Sequence, residues 1–275
     1  MLVMPQDQRT IVAIVFLLAG FCLFASWRQG LFNTAGSPLK KLPAETAARM
    51  MGVGFVVFGL WWFAAMAIAS LPLAATFGIS SQHAELLAII SANFSALFIV
   101  IAASVYLELP ILNRASPPPP MIDRFRWAFI CLLMTFPVVM ATAVISRHVF
   151  IALNLHPPDG HELIQTAKSG DRLVVALVVI SVAIAAPLFE ELFFRGLLQR
   201  ALLGLSQSPW IAITLSSLVF ALVHQWSLQP AIFVLSLSIG LLYQRTGSLL
   251  CVILVHAAFN TINLSLSLFA SSPPQ

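Results

Sequence analysis

Three short stretches place ionisable side chains inside runs that otherwise read as membrane-spanning. They are Glu190-Glu191-Leu-Phe-Phe-Arg195, Phe220-Ala-Leu-Val-His224 and His256-Ala-Ala-Phe-Asn260. An ionised side chain at mid-helix costs roughly 2.5–3.5 kcal/mol on insertion scales. In a chain that is 60% hydrophobic and 9% charged, such a placement needs a reason. Each stretch has an i, i+4 pair on one helix face: Glu191 with Arg195, Phe220 with His224, and His256 with Asn260. A carboxylate and an imidazole around one water can take its proton and direct it at a carbonyl carbon. A second imidazole and an amide N–H can donate to the oxyanion that forms. A glutamate of the Glu190-Glu191 pair with His224 could serve the first task, and His256 with Asn260, on one helix face, the second. The reaction such a set serves is peptide-bond hydrolysis. Arg195 would hold Glu191 ionised and fix the helix, a supporting task.

The elements that must carry these groups follow from apolar length, since about 20 apolar residues cross a hydrocarbon core. Eight candidate spans result: 10–27, 50–71, 85–107, 126–146, 173–204, 209–225, 228–244 and 248–269. The fold class is therefore all-α, a polytopic transmembrane helix bundle of about eight helices with its catalytic core in the last five. The fifth span is long for a simple crossing and holds Pro187 just before the glutamates, which predicts a kinked or partly protruding helix. A tight join over Gln225–Gln229 is expected between the short sixth and seventh spans. Glu190 lies about 15 Å from the helix end at Arg200, His256 and Asn260 about 12 and 18 Å beyond Ser248, and His224 about 22 Å beyond Pro209. The four groups thus agree in depth to within about 10 Å, which a shared site requires.

Composition excludes other classes. The mean hydropathy of +0.96 is that of a membrane protein, and no stretch reads as a soluble domain. The net charge of +4 does not point to nucleic acid, because no basic tract with interleaved aromatics accompanies it. Ten of the fourteen basic residues fall in the inner loops when the N-terminus is placed outside: Arg28, Lys40, Lys41, Arg49, Arg114, Arg124, Arg126, Arg195, Arg200 and Arg245. The outer segments hold Arg9, Arg147, Lys168 and Arg172. Residues 1–27 read as a retained first helix, with no small-residue cleavage site following. Cys22, Cys131 and Cys251 lie in apolar runs without metal-ligand spacing and read as small hydrophobes.

Residues 1–112 form an N-terminal three-helix membrane part, and 113–125 a proline-rich cytoplasmic loop around Ser116–Pro120. Residues 126–270 form the membrane core and 271–275 a disordered tail. In the outer loop 147–171, His156–Gly160 reads as a turn and Glu162–Ser169 as a short surface helix. His83, His148, His156 and His161 sit in loops or at helix edges and receive no role, and Glu85 and Glu108 read as interfacial. Trp61, Trp62, Trp127, Trp210 and Trp226 fit interfacial belts or packing.

Plainer readings stand beside the chemical one. Glu190 can serve only as an arginine's partner, and His224, His256 and Asn260 can join helices through hydrogen bonds. A proton-coupled transporter would use the same groups as an ion relay, although no internal repeat supports it. Zinc on Glu190, His224 and His256 would give a three-ligand open site, but the HExxH pattern is absent; no cofactor is expected.

The three motifs in this order, each on its own membrane helix, resemble the CAAX protease and bacteriocin-processing family, which includes the type II CAAX prenyl endopeptidase. The likeness covers roughly residues 172–268 and leaves 1–112 outside it. It implies an intramembrane glutamate-type protease. Glu190 and His224 would activate water, His256 and Asn260 would stabilise the oxyanion, and Glu191 and Arg195 would support them. The short interval from His224 to His256 is similar to that of bacterial-type members, some associated with bacteriocin immunity. The implied setting is a bacterial cytoplasmic membrane, and the implied partners are the lipid bilayer and a peptide or membrane-protein substrate.

Overall fold

The computed structural model describes residues 6–30, 32–39, 41–111, 120–158, 162–169 and 171–269. In chain order the helices are α1 (Gln6–Arg28), α2 (Ala44–Ala69), α3 (Leu73–Phe77), α4 (Ser81–Tyr106) and α5 (Met121–Ala152). They continue with α6 (Glu162–Ser169), α7 (Arg172–Ser206), α8 (Pro209–Leu222), α9 (Gln229–Thr246) and α10 (Leu249–Phe269). No strand occurs among the described residues. Each predicted span is occupied by an apolar helix. Six are long and apolar enough to cross a membrane; 12–28 and Pro209–Leu222 are shorter. The chain is an all-α, multi-pass integral membrane protein.

The proline-rich residues 116–119, Asp159, Gly160, His161 and the tail 271–275 lie outside the described residues. The short helix expected at Glu162–Ser169 is present with those bounds. The join expected over Gln225–Gln229 is a single 3-10 turn, Trp226–Leu228. α5 outruns its prediction at both ends: it starts directly after its N-cap Pro120, and Asn154, at φ 58°, turns the backbone beyond its end. Arg195 and Arg200, counted among loop charges, are instead buried, with 0% and 1% exposure.

The described chain forms two compact units. The first takes residues 1–39, 114–159 and 209–255, hence α1, α5, α8, α9 and the start of α10. Pro137 lies inside α5 and cannot donate to the carbonyl of Leu133. The thiol of Cys22 on α1 approaches that carbonyl at 3.9 Å, so the acceptor freed by the proline still has a donor. α9 ends on Gly247 at φ 58°, whose N–H reaches the Tyr243 carbonyl at 2.7 Å; the left-handed conformation is the reason for glycine there.

The second unit takes residues 40–113, 160–208 and 256–275, hence α2, α3, α4, α6, α7 and the rest of α10. Its core includes Leu86 of α4, Ala167 of α6, Val174, Leu177 and Val178 of α7, and Leu264 of α10. The apolar face of α6, Leu163 and Ile164, packs onto this cluster. Gly204 lets α7 come close to α2: a Cβ there would sit 2.6 Å from that of Ala47.

α7 is not a regular helix. π-helical segments at Ser181–Ala185 and Leu192–Gln199 flank a six-residue α-helical piece, Ala186–Glu191. Pro187 explains the first, since a wider turn just before a proline relieves the clash with the preceding carbonyls. The predicted irregularity is thus a widening of the helix on either side of the two glutamates. π-bulges recur at functional sites.

Candidate active site

Glu190 and Glu191 end the α-helical piece of α7 and point to different surroundings. Glu191 has a fully buried side chain, whereas that of Glu190 is 19% exposed. Arg195, also fully buried, donates from Nε to Oε2 of Glu191 at 3.1 Å. The pair expected from i, i+4 spacing is present, across the start of the second π segment. Two ions out of water demand this complementarity, because either one alone would be severely destabilising.

The other oxygen of Glu191 is taken by α10. His256, 3% exposed, places Nδ1 at 2.7 Å from Oε1 of Glu191. An ionised carboxylate only accepts, so Nδ1 carries the proton. Nε2 then faces Oε2 of Glu190 at 3.7 Å, beyond hydrogen-bonding distance but close enough for charge to be felt. The imidazole is held by the buried carboxylate and presented to the accessible one. Asn260, one turn further along α10, donates from Nδ2 to the carbonyl of Val182 in the first π segment at 2.8 Å. That bond meets α7 where its regular ladder is interrupted.

An aromatic stack stands behind the glutamates. Trp61 of α2 lies 5.5 Å from Phe189, Phe189 lies 5.8 Å from Phe193, and Phe193 lies 6.0 Å from Phe58. The indole N–H of Trp61 donates to Oδ1 of the buried Asn93 on α4 at 3.3 Å. Of the two readings given to Trp61, packing is the one observed. Neither Asn93 nor the stack stood out in the sequence, since Phe and Asn within an apolar run carry no spacing signal.

His224 belongs to the first unit and is described there. It follows the end of α8, half-buried, with Nδ1 2.7 Å from the carbonyl of Phe220. A carbonyl accepts, so the neutral ring keeps its proton on Nδ1 and its lone pair on Nε2. The Phe220 ring lies against the imidazole, centroids 4.6 Å apart. Gln229 donates to the His224 carbonyl at 3.1 Å, tying the turn down. The i, i+4 spacing of Phe220 and His224 thus acts through both ring and backbone.

At the start of α7, Asp171 caps the helix by accepting from the Val174 N–H at 2.9 Å. This bond, with His83 Nε2 at 3.4 Å, holds the Asp171 carboxyl below its ordinary range. His83, given no role from sequence, joins the starts of α4 and α7. Among the described residues, no group of three or more histidine, cysteine or carboxylate side chains is placed to hold a metal ion.

Residues 172–262 match the family model of the type II CAAX prenyl endopeptidase Rce1-like proteins. This region of the chain is similar to the Rce1-like proteins. The match spans all three motifs and covers α7 to most of α10, in agreement with the resemblance drawn from the motifs. The similarity is to a family of type II CAAX prenyl endopeptidases, and residues 1–171 lie outside it. No curated protein and no solved structure matches the chain.

Proposed function

We propose that the chain is an intramembrane endopeptidase of the glutamate type, hydrolysing a peptide bond in a membrane-associated or membrane-proximal protein. The observation that carries this reading is the anchoring of His256 between a buried and an accessible carboxylate, inside an Rce1-like segment. Glu190 is the base. Its carboxylate is the more accessible of the two and lies outside the hydrogen bonds that tie Glu191 to Arg195 and His256. It takes a proton from water while the oxygen attacks the scissile carbonyl carbon. His224, with its lone pair on Nε2, is suited to sharing that proton.

The attack turns the carbonyl oxygen into an oxyanion. His256 in its imidazolium form carries an N–H on Nε2, and Asn260 carries a second N–H on Nδ2, so both can donate to it. The proton held by the base then passes to the leaving nitrogen, and the carbon–nitrogen bond breaks. Glu191 and Arg195 act as positioning residues, fixing the orientation and proton placement of His256. This reading routes no step through a metal.

The test uses purified protein in detergent and a library of membrane-proximal peptides. Wild type cleaves; Glu190→Ala and His224→Ala do not, although both melt like wild type. Cleavage by folded Glu190→Ala protein would sink the mechanism. Activity lost to a chelator and restored by zinc would replace it with a metal-dependent one. Ion flux in proteoliposomes without hydrolysis would favour a transporter.

A further inference from the structure

The first unit contains a cavity of about 60 Å³ among α1, α5 and α9. Trp127, Cys131 and Thr135 line it from α5 at helical spacing, and Arg245 and Ser238 line it from α9. The helices run antiparallel here, since Arg245 meets Trp127 and the Cys131 thiol approaches the Ser238 carbonyl at 3.9 Å. From Trp127 to Thr135 the cleft reaches about 12 Å inward.

Its charge is at the mouth. The Arg245 guanidinium sits over the Trp127 ring, 4.7 Å from the centroid, and donates from Nη1 to the Gly30 carbonyl at 2.9 Å. Among the described residues no carboxylate pairs with it. The same helix ends carry Arg28 in the last turn of α1, and Arg124 and Arg126 near the start of α5; Asp123 is the acidic residue there. Arg28 and Arg126 are exposed. Four arginines against one aspartate leave this end strongly positive, the character of a cytoplasmic membrane face. A cation above an apolar slot, with aromatic backing and no carboxylate partner among the described residues, suits a phosphate attached to a hydrocarbon chain.

We propose that this cleft binds an anionic phospholipid of the adjoining leaflet. The phosphate meets Arg245, with Arg28 and Arg126 adding attraction at the mouth. The first part of one acyl chain lies along Ile130 and Met134 toward Thr135. The site involves none of the residues proposed for hydrolysis and stands apart from that reading.

Native mass spectrometry of the purified full chain tests this, with phosphatidylglycerol and phosphatidylcholine of the same acyl chains as probes. Wild type retains phosphatidylglycerol over phosphatidylcholine by about tenfold, and Arg245→Gln loses about fivefold of that retention, the effect of one basic residue near a membrane surface. Met134→Trp, which fills the slot and keeps the charge, also lowers retention and carries the test should Arg245→Gln not fold. Equal retention of the two lipids by wild type overturns the proposal without any variant. So does unchanged preference in folded Arg245→Gln. Inorganic phosphate displaces little lipid, because it lacks the chain; displacement at equal concentration would make the site one for free phosphate and end the lipid reading.

Discussion

The two units handle a charge in an apolar setting by opposite means. In the second, Arg195, Glu191 and His256 meet through short polar contacts, and Glu190 is the most exposed of the four. In the first, Arg245 has an aromatic face and one carbonyl, and no carboxylate among the described residues pairs with it. A network of carboxylate, imidazole and guanidinium fixes the orientation of His256 and, on the proposed reading, leaves Glu190 to react. A cation above an apolar slot, with no carboxylate partner among the described residues, suits an anion from outside, as proposed for the lipid. The first arrangement suits proton transfer, the second attraction.

Removing one member from each arrangement tests this contrast, with the largest effect expected at Glu191. Glu191→Leu leaves Arg195 buried without its partner and His256 without its anchor, at a cost of about 3–5 kcal/mol. A melting curve in detergent should show a large loss of stability, together with loss of hydrolysis. Arg245→Gln, the matching change in the first unit, should cost under about 1 kcal/mol, the value of a partly exposed cation–π contact. Equal losses from the two changes would erase the distinction. Next in size is Trp61→Ala, which opens a space behind Phe189 and should cost about 3 kcal/mol, with slower turnover as α7 loosens. Gly204→Ala forces α7 from α2 and should cost about 1–3 kcal/mol with no specific effect on turnover, read by melting and rate together.

The smallest expected effect is one of pH. Asp171 is held below its ordinary range when folded, first by the Val174 N–H and then by His83. A depressed carboxyl contributes fully above its unfolded value and loses that contribution as pH falls through the folded value. A melting series in the acidic range should show a slight extra loss for wild type over Asp171→Ala, which has no such carboxylate to protonate.

Much of the fold could be read from apolar length. The eight runs became eight apolar helices, and Glu162–Ser169 kept its bounds, because burying an apolar face leaves few alternatives. The widening of α7 was legible only as a disturbance at Pro187, since a single proline does not say whether a helix bends or swells. The Glu191–Arg195 pair followed from spacing on one helix. The bond from His256 to Glu191 did not, because it joins residues 65 apart and depends on which helices become neighbours. Depth along a helix is a sequence property, but lateral neighbourhood is not. His83 was passed over for the same reason: its partner Asp171 caps a different helix.

The most direct test is hydrolysis of the membrane-proximal peptide library in ¹⁸O-labelled water by wild type and Glu190→Gln protein of equal melting temperature. Wild type should release products whose new carboxylate carries the label. Glu190→Gln should release at least about 100-fold less, the usual contribution of a positioned general base. Labelled product formed at the wild-type rate by the folded variant would contradict the assignment of Glu190 as the base.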